Sequence, residues 1–317
     1  MPCYSGAPMS ASPASRLTPA TIALLTLPPL MWAGNAVVGR LMNGLIPPIT
    51  LNLLRWVLVL LLLLPWTWWI LRARSGLWAN WRRFGLLGVL SVGSYNALQY
   101  MALKTSTPLN VTLVAASMPV WMLLLGRVLF GVRVTRRAAL GAMLSLIGVA
   151  VVLSRGDVHG LLAIRLVPGD ALMLLAAMVW SWYSWLLVRP PARAEPAAIK
   201  SDWAAYLAAQ TVFGLGWTGL MAGIEWTVLD STAAHIQWGW PLVLGLLYVA
   251  VGASVVAYRC WGAGVARVGP ATAGFFANLT PLFAGLMSTL MLGEPPHAYH
   301  VLGFVLIVGG ILVSSRR

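Results

Sequence analysis

The sequence predicts an all-α polytopic membrane protein, with ten transmembrane helices in two inverted five-helix repeats, and three observations carry that reading. The first is composition. Of 317 residues, 60% are hydrophobic and 9% charged, against about 25% charged in soluble domains, too few polar groups to coat a water-soluble globule. The second is length: apolar stretches recur from Thr21 to the end, each of about 20 residues and able to cross about 30 Å of hydrocarbon as a helix. The third is a self-similarity at fixed offset, described below. The formal net charge of +14 would suggest nucleic acid in a soluble chain. Here Lys and Arg fall almost entirely in short connections between apolar runs, where they report topology, so membrane lipid is the expected partner and nucleic acid is not. Cys3 and Cys260 give neither a disulfide framework nor a metal-ligand spacing, and no metal or cofactor is expected.

Taken in order, residues 1–19 are rich in Ser, Ala and Pro with Arg16 as their sole charge. This reads as a disordered cytoplasmic tail, because a secretory signal needs a basic start and an apolar stretch. Hydropathy then places spans near 20–39, 48–71, 84–103, 107–127, 138–154, 170–188, 203–224, 239–260, 270–292 and 299–314. Helices suit these runs better than barrel strands, which must alternate polar and apolar positions, while Val57 to Leu64 is apolar on every face. Pro28, Pro29, Pro65, Pro119 and Pro281 sit inside spans, where neighbouring helices can hold a kink. With ten spans, sixteen Lys and Arg residues fall on one side and four on the other, Arg55 lying within a span. That asymmetry puts both termini in the cytoplasm.

An offset of 162 aligns the fourth and fifth spans with the ninth and tenth without a gap. Pro108 meets Pro270, Pro119 meets Pro281, Gly131 meets Gly293, Gly141 meets Gly303 and Gly148 meets Gly310. The first and sixth spans pair Trp32 with Trp180 at an offset of 148. Residues 20–155 and 156–317 are thus expected to be two five-helix repeats. An odd number of spans makes the second enter the membrane from the opposite face, a construction used by many secondary transporters to open one central site alternately to either side.

The stretch Leu27-Pro28-Pro29-Leu30-Met31-Trp32-Ala33-Gly34-Asn35, followed by Arg40, Pro47-Pro48 and Leu51-Asn52-Leu53-Leu54-Arg55, resembles the opening of the EamA-type repeat of the drug/metabolite transporter superfamily. Pro281, Gly293-Glu294, Gly303 and Gly309-Gly310 are similar to its closing segment. Within that superfamily the chain is most similar to the YddG-type aromatic amino-acid exporters. The resemblance implies ten helices, a bacterial inner membrane and outward movement of amino acids or similar metabolites. One departure is that Gly131-Val132 stands where the family often has an acidic residue after Gly, kept here as Glu294.

Ionisable groups inside spans are functional candidates by default. Asp157, Asp170, Glu195, Asp202, Glu225, Asp230 and Glu294 all fall in loops or at span ends, so no midplane carboxylate is expected to bind a coupling ion, and facilitated movement is favoured over proton coupling through an acid such as Glu294. Arg55 is the clearest charge within a span. It is read first as a lock onto backbone carbonyls or a snorkelling group, and second as a ligand for a cargo carboxylate. The expected cargo contacts are polar aromatics at helical spacing: Trp32 and Asn35, their repeat partners Trp180 and Tyr183, Tyr95 and Gln99, Ser254 and Tyr258, with Asn278 beside an expected break. Flat apolar walls with a few hydrogen-bonding tips suit an amino acid. Pro119 and Pro281 are the expected hinges, and Gly85, Gly88, Gly93, Gly141, Gly148, Gly303 and Gly310 the expected packing surfaces.

Three other readings compete. Another small metabolite or drug, exported with proton coupling, would need the same fold. An intramembrane enzyme would need a catalytic constellation, yet His159, His235, His297 and His300 lie outside span centres with no HExxH. A receptor without transport would need no inverted repeat.

Overall fold

In a computed structural model of the chain, residues 17–42, 44–106, 108–157, 167–191, 193–229, 236–292 and 297–315 are described. Residues 1–16 of the expected tail, and Asp230, Glu294, His159 and His235, lie outside them. Helices joined by turns make up the whole, and there is no strand among the described residues.

The helix starts follow the prolines. Helix α1 (Pro19–Leu41) and α2 (Pro48–Thr67) both begin on Pro, at the position where a missing N–H costs nothing. Three short 3-10 turns then lead to α3 (Trp81–Gly88), a π-helical stretch Val89–Tyr95 and α4 (Asn96–Thr105). Helix α5 (Pro108–Ala115) is separated by the turn Ala116–Ser117 from α6 (Met118–Phe130). Helix α7 (Arg136–Leu153) starts where the Ala138 N–H donates to the Thr135 hydroxyl at 3.1 Å.

The second half opens with α8 (Pro168–Val188) and the short α9 (Ala197–Ser201), then α10 (Trp203–Ile224), which runs into a π-helical turn, Glu225–Leu229. Helix α11 (Trp240–Ala250), a second π-helical stretch Val251–Val256 and α12 (Ala257–Ala277) follow, and a turn at Asn278 precedes α13 (Leu279–Leu292) and α14 (Ala298–Ser315). Gly269 bends α12 at φ 79° and ψ 160°, a region of backbone space open to glycine and strained for other residues.

Eight helical runs among the described residues are long and apolar enough to cross a bilayer, where ten were expected. The difference falls on the third and ninth stretches. The third, expected at 84–103, holds Ser91, Ser94, Asn96 and Gln99, which lower its hydropathy. The ninth begins inside the 38-residue run Trp240–Ala277 and is cut at Asn278, leaving 14 residues in α13, about 21 Å of helix. The chain is a multi-pass membrane protein on either count.

The helix interfaces use glycine where backbones meet. A Cβ at Gly141 would sit 2.6 Å from the Gly310 carbonyl oxygen, and one at Gly148 2.9 Å from that of Gly303, so α7 and α14 run antiparallel through a four-glycine seam. Gly88 lies on Gly214 and Gly93 on Trp217, whereas Gly85 faces open space. Replacing Gly310 by Val is expected to cost about 1–3 kcal/mol through overpacking, read as a fall of several degrees in the unfolding midpoint of the purified protein. Gly309→Ala, with nothing within 4 Å, is the matched control and is expected to leave that midpoint in place.

Tryptophan is enriched at the headgroup level of membranes, and Trp66, Trp68, Trp78, Trp81, Trp226, Trp238 and Trp240 near span ends and in connections are exposed. Trp69 is half-buried and packs on the core instead.

Candidate functional site

The largest group of buried and half-buried rings among the described residues is drawn from helices of both halves. Trp32 of α1 meets Trp180 of α8 at 5.3 Å between centroids and Trp261 of α12 at 5.4 Å. Around Trp180 also stand Tyr95 at 5.1 Å, Tyr183 at 5.2 Å, Tyr258 at 5.2 Å and Trp261 at 5.9 Å. The rings are tilted or edge-on, the arrangements their quadrupoles favour. Five expected cargo contacts, Trp32, Tyr95, Trp180, Tyr183 and Tyr258, therefore share one cluster. Trp32 and Trp180, paired in sequence at an offset of 148, touch each other.

Beside the rings lies Arg55. It is fully buried, 0% exposed, so it does not snorkel to an interface. Its Nε donates to the Ser254 hydroxyl at 2.5 Å and Nη2 to the Ala253 carbonyl at 2.9 Å. Longer contacts run from Nη1 to Asn35 Oδ1 and the Tyr100 hydroxyl, both 3.4 Å, and Tyr100 itself donates to Asn35 Oδ1 at 3.2 Å. The guanidinium thus bonds to neutral oxygens. The ion pairs among the described residues gather at Glu195, which meets Arg83 at 2.7 Å and Lys200 at 3.8 Å; Arg55 is in none of them.

The two π-helical stretches, a rare form frequent at functional sites, carry three backbone oxygens that accept side-chain bonds from other helices. Ala253 O accepts from Arg55, Val92 O from Asn52 Nδ2 at 3.1 Å, and Ser91 O from the Tyr258 hydroxyl at 2.9 Å. The stretches begin at Val89 and Val251, and the helix breaks fall at Ala116 and Asn278; each pair is separated by 162.

Other expected residues stand elsewhere. Gln99 is half-buried on α4 with no side-chain hydrogen bond among the described residues. Asn278 is at the expected break, where Nδ2 donates to the Ser145 hydroxyl of α7 at 2.8 Å and Oδ1 has no partner. Pro119 and Pro281 lie in the first turn of the helix after each break, not at a kink within a continuous helix. Asn52, Trp56, Tyr100 and Trp261 were not singled out by spacing. A signal was present: Asn52 and Trp56 share a helix face with or adjoin Arg55, and Trp261 is three residues past Tyr258.

Two buried acids stand apart from the rings. Glu225 is 1% exposed and clasps the start of α2, accepting from Ile49 N at 3.0 Å and from Thr50 N and Oγ1 at 2.8 and 2.9 Å. Trp226 Nε1 adds a 2.7 Å bond to Thr50 Oγ1. Asp170 accepts from Ser106 Oγ, and from Val167 N at 2.9 Å at the start of α8. Both are at span ends, as expected, but buried. Glu225→Gln is expected to destabilise the protein by about 1–2 kcal/mol, since an amide N–H₂ would face backbone donors and the charge at the helix N-terminus is lost. A drop in unfolding midpoint, absent in the exposed-site variant Trp66→Phe, would register it.

The EamA-like transporter family model matches residues 19–154 and 167–316. An "Uncharacterized transporter" of Archaeoglobus fulgidus is 25% identical over 93% of this chain and 96% of its own length. A "Probable amino-acid metabolite efflux pump" of Salmonella typhimurium is 26% identical over 92% of this chain and 93% of its own. A solved crystal structure of 22% identity shares the fold with a TM-score of 0.69, over 93% of this chain and 96% of that one.

Proposed function

Because this chain belongs to the EamA-like transporter family, we propose that it exports amino acids, aromatic and hydrophobic ones first, by alternating access. The family and its relatives are transporters, so the chain is a transporter and not an enzyme. The observation that carries the finer reading is the six-ring cluster joined by α1 and α8, with Tyr95, Tyr258 and Trp261 completing it. It offers π faces and apolar area to a side chain, with Arg55, Asn35 and Ser254 beside it. The amino-acid class also draws on the name of the Salmonella relative.

Two inverted repeats, residues 20–155 and 156–317, provide the alternation. The contacts Trp32 with Trp180, Gly141 with Gly310 and Gly148 with Gly303 support this, because they are what a pseudo-two-fold axis in the membrane plane produces: a residue meets its own repeat partner, or two contacts are exchanged into each other when every residue is replaced by its partner. Ten spans put both termini in the cytoplasm of a bacterial inner membrane. The rings touch one another, so admitting cargo requires the two halves of the cluster to part. Movement is facilitated: the cluster holds no carboxylate among the described residues, Glu225 and Asp170 being engaged at helix starts.

Counterflow in proteoliposomes tests this. Labelled phenylalanine should exchange against internal phenylalanine, tryptophan and leucine at equal rates with and without a pH gradient. A panel in which no amino acid competes would remove the cargo assignment, and exchange that needs the gradient would remove facilitation.

A further inference from the structure

The cluster and the adjoining Trp56 hold more hydrogen-bond donors than they can satisfy. Trp56 Nε1 and Trp180 Nε1 have no partner, though their residues are 0% and 1% exposed. Both rings pack on Tyr258, at 5.1 and 5.2 Å, and Arg55 Cζ lies 5.6 Å from the Trp56 ring centroid. Each unpaired buried N–H is costly, and a buried cation held only by neutral oxygens is costlier. One deficit is common to all three groups: they lack an acceptor that carries negative charge.

We propose that Arg55, Trp56 Nε1 and Trp180 Nε1 form a carboxylate subsite, which takes the acid end of the cargo while its apolar end enters the rings. A carboxylate brings one negative charge for one buried cation and about four lone-pair positions for the guanidinium fork and the two indole donors. An amine without a carboxylate would set a second positive charge near Arg55 and leave both indoles unpaired. A phosphate dianion would exceed the one buried base. This rests on the amino-acid reading for the natural cargo, but it makes a claim about charge that can be tested apart from it.

The test is calorimetric titration of the purified full-length protein in nanodiscs with four probes: phenylalanine, phenylalaninamide, 3-phenylpropionate and 2-phenylethylamine. Phenylalanine and 3-phenylpropionate should bind, and the two probes without a carboxylate should bind at least tenfold more weakly. Trp56→Phe and Trp180→Phe keep an aromatic ring at each place and remove the N–H together with part of the indole's area, so the comparison between acid and amine probes is the readout. Each should weaken the carboxylate probes about tenfold more than it weakens 2-phenylethylamine, the change expected for about 1.4 kcal/mol; Trp66→Phe, at an exposed site, should change nothing. Equal binding of phenylalanine and its amide, no effect of either Trp→Phe variant on 3-phenylpropionate, or no binding by any probe would each overturn the subsite. If 3-phenylpropionate binds with this dependence while liposomes exchange no amino acid, the amino-acid cargo assignment falls and the carboxylate subsite stands.

Discussion

Arg55→Met is expected to lower amino-acid counterflow by about a hundredfold or more. The side chain is fully buried and makes charge-assisted bonds of 2.5 and 2.9 Å to Ser254 and Ala253, each worth about 1.5–3 kcal/mol. Removing it takes the side-chain donor from the Ala253 carbonyl in a π-helical stretch and takes a positive charge from beside the rings. Arg55→Lys restores charge without the planar fork, so it should recover part of the rate. Counterflow indistinguishable from wild type in Arg55→Met would show that the residue neither locks helices nor meets cargo. A lock alone predicts that binding of all four probes falls together, including 2-phenylethylamine; a carboxylate ligand predicts that only the acids lose affinity.

The second large effect is expected at Trp180. Its ring has five aromatic neighbours within 5.9 Å and lies 1% exposed, so Trp180→Ala opens a cavity where α1, α8 and α12 converge. Truncating a buried Trp costs about 3–5 kcal/mol, which corresponds to a fall of about 10 °C in unfolding midpoint. The same change at Trp66, 73% exposed, should be nearly silent. Trp180→Phe separates packing from hydrogen bonding, since it keeps most of the apolar area. It should retain most of the stability while losing the affinity for acids. A midpoint for Trp180→Ala within a degree of wild type would mean that the cluster does not hold the two halves together.

Much of the membrane architecture is legible because it is written in one dimension. Span positions follow from apolar runs, and the repeat follows from prolines and glycines at a fixed offset, since these residues fix backbone shape wherever they occur. The pairing of Trp32 with Trp180 is visible in the same way, as is the spacing that puts Tyr258 on its face. What escaped was the local shape of the third, eighth and ninth stretches. Nothing in the sequence around Val89–Tyr95 or Val251–Val256 announces a π-helical turn, because its cost is met by partners on other helices: Asn52, Arg55 and Tyr258. The prolines were legible but their effect was displaced, because a proline is best accommodated in the first turn after a break, at Ala116–Ser117 and Asn278.

By itself the sequence determined that the chain lives in a membrane, that its halves are related, and that charge within its spans is scarce, because solvation by hydrocarbon constrains composition at every residue. Only the tertiary structure decided which polar groups face which. Whether Arg55 met lipid, a carboxylate or neutral oxygens, whether Glu225 was a surface acid or a buried clasp, and whether six rings formed one cluster depended on how helices distant in sequence pack. Hydrogen bonds and ring contacts are set by distances of a few ångströms across the bundle, and no spacing along a single helix encodes them.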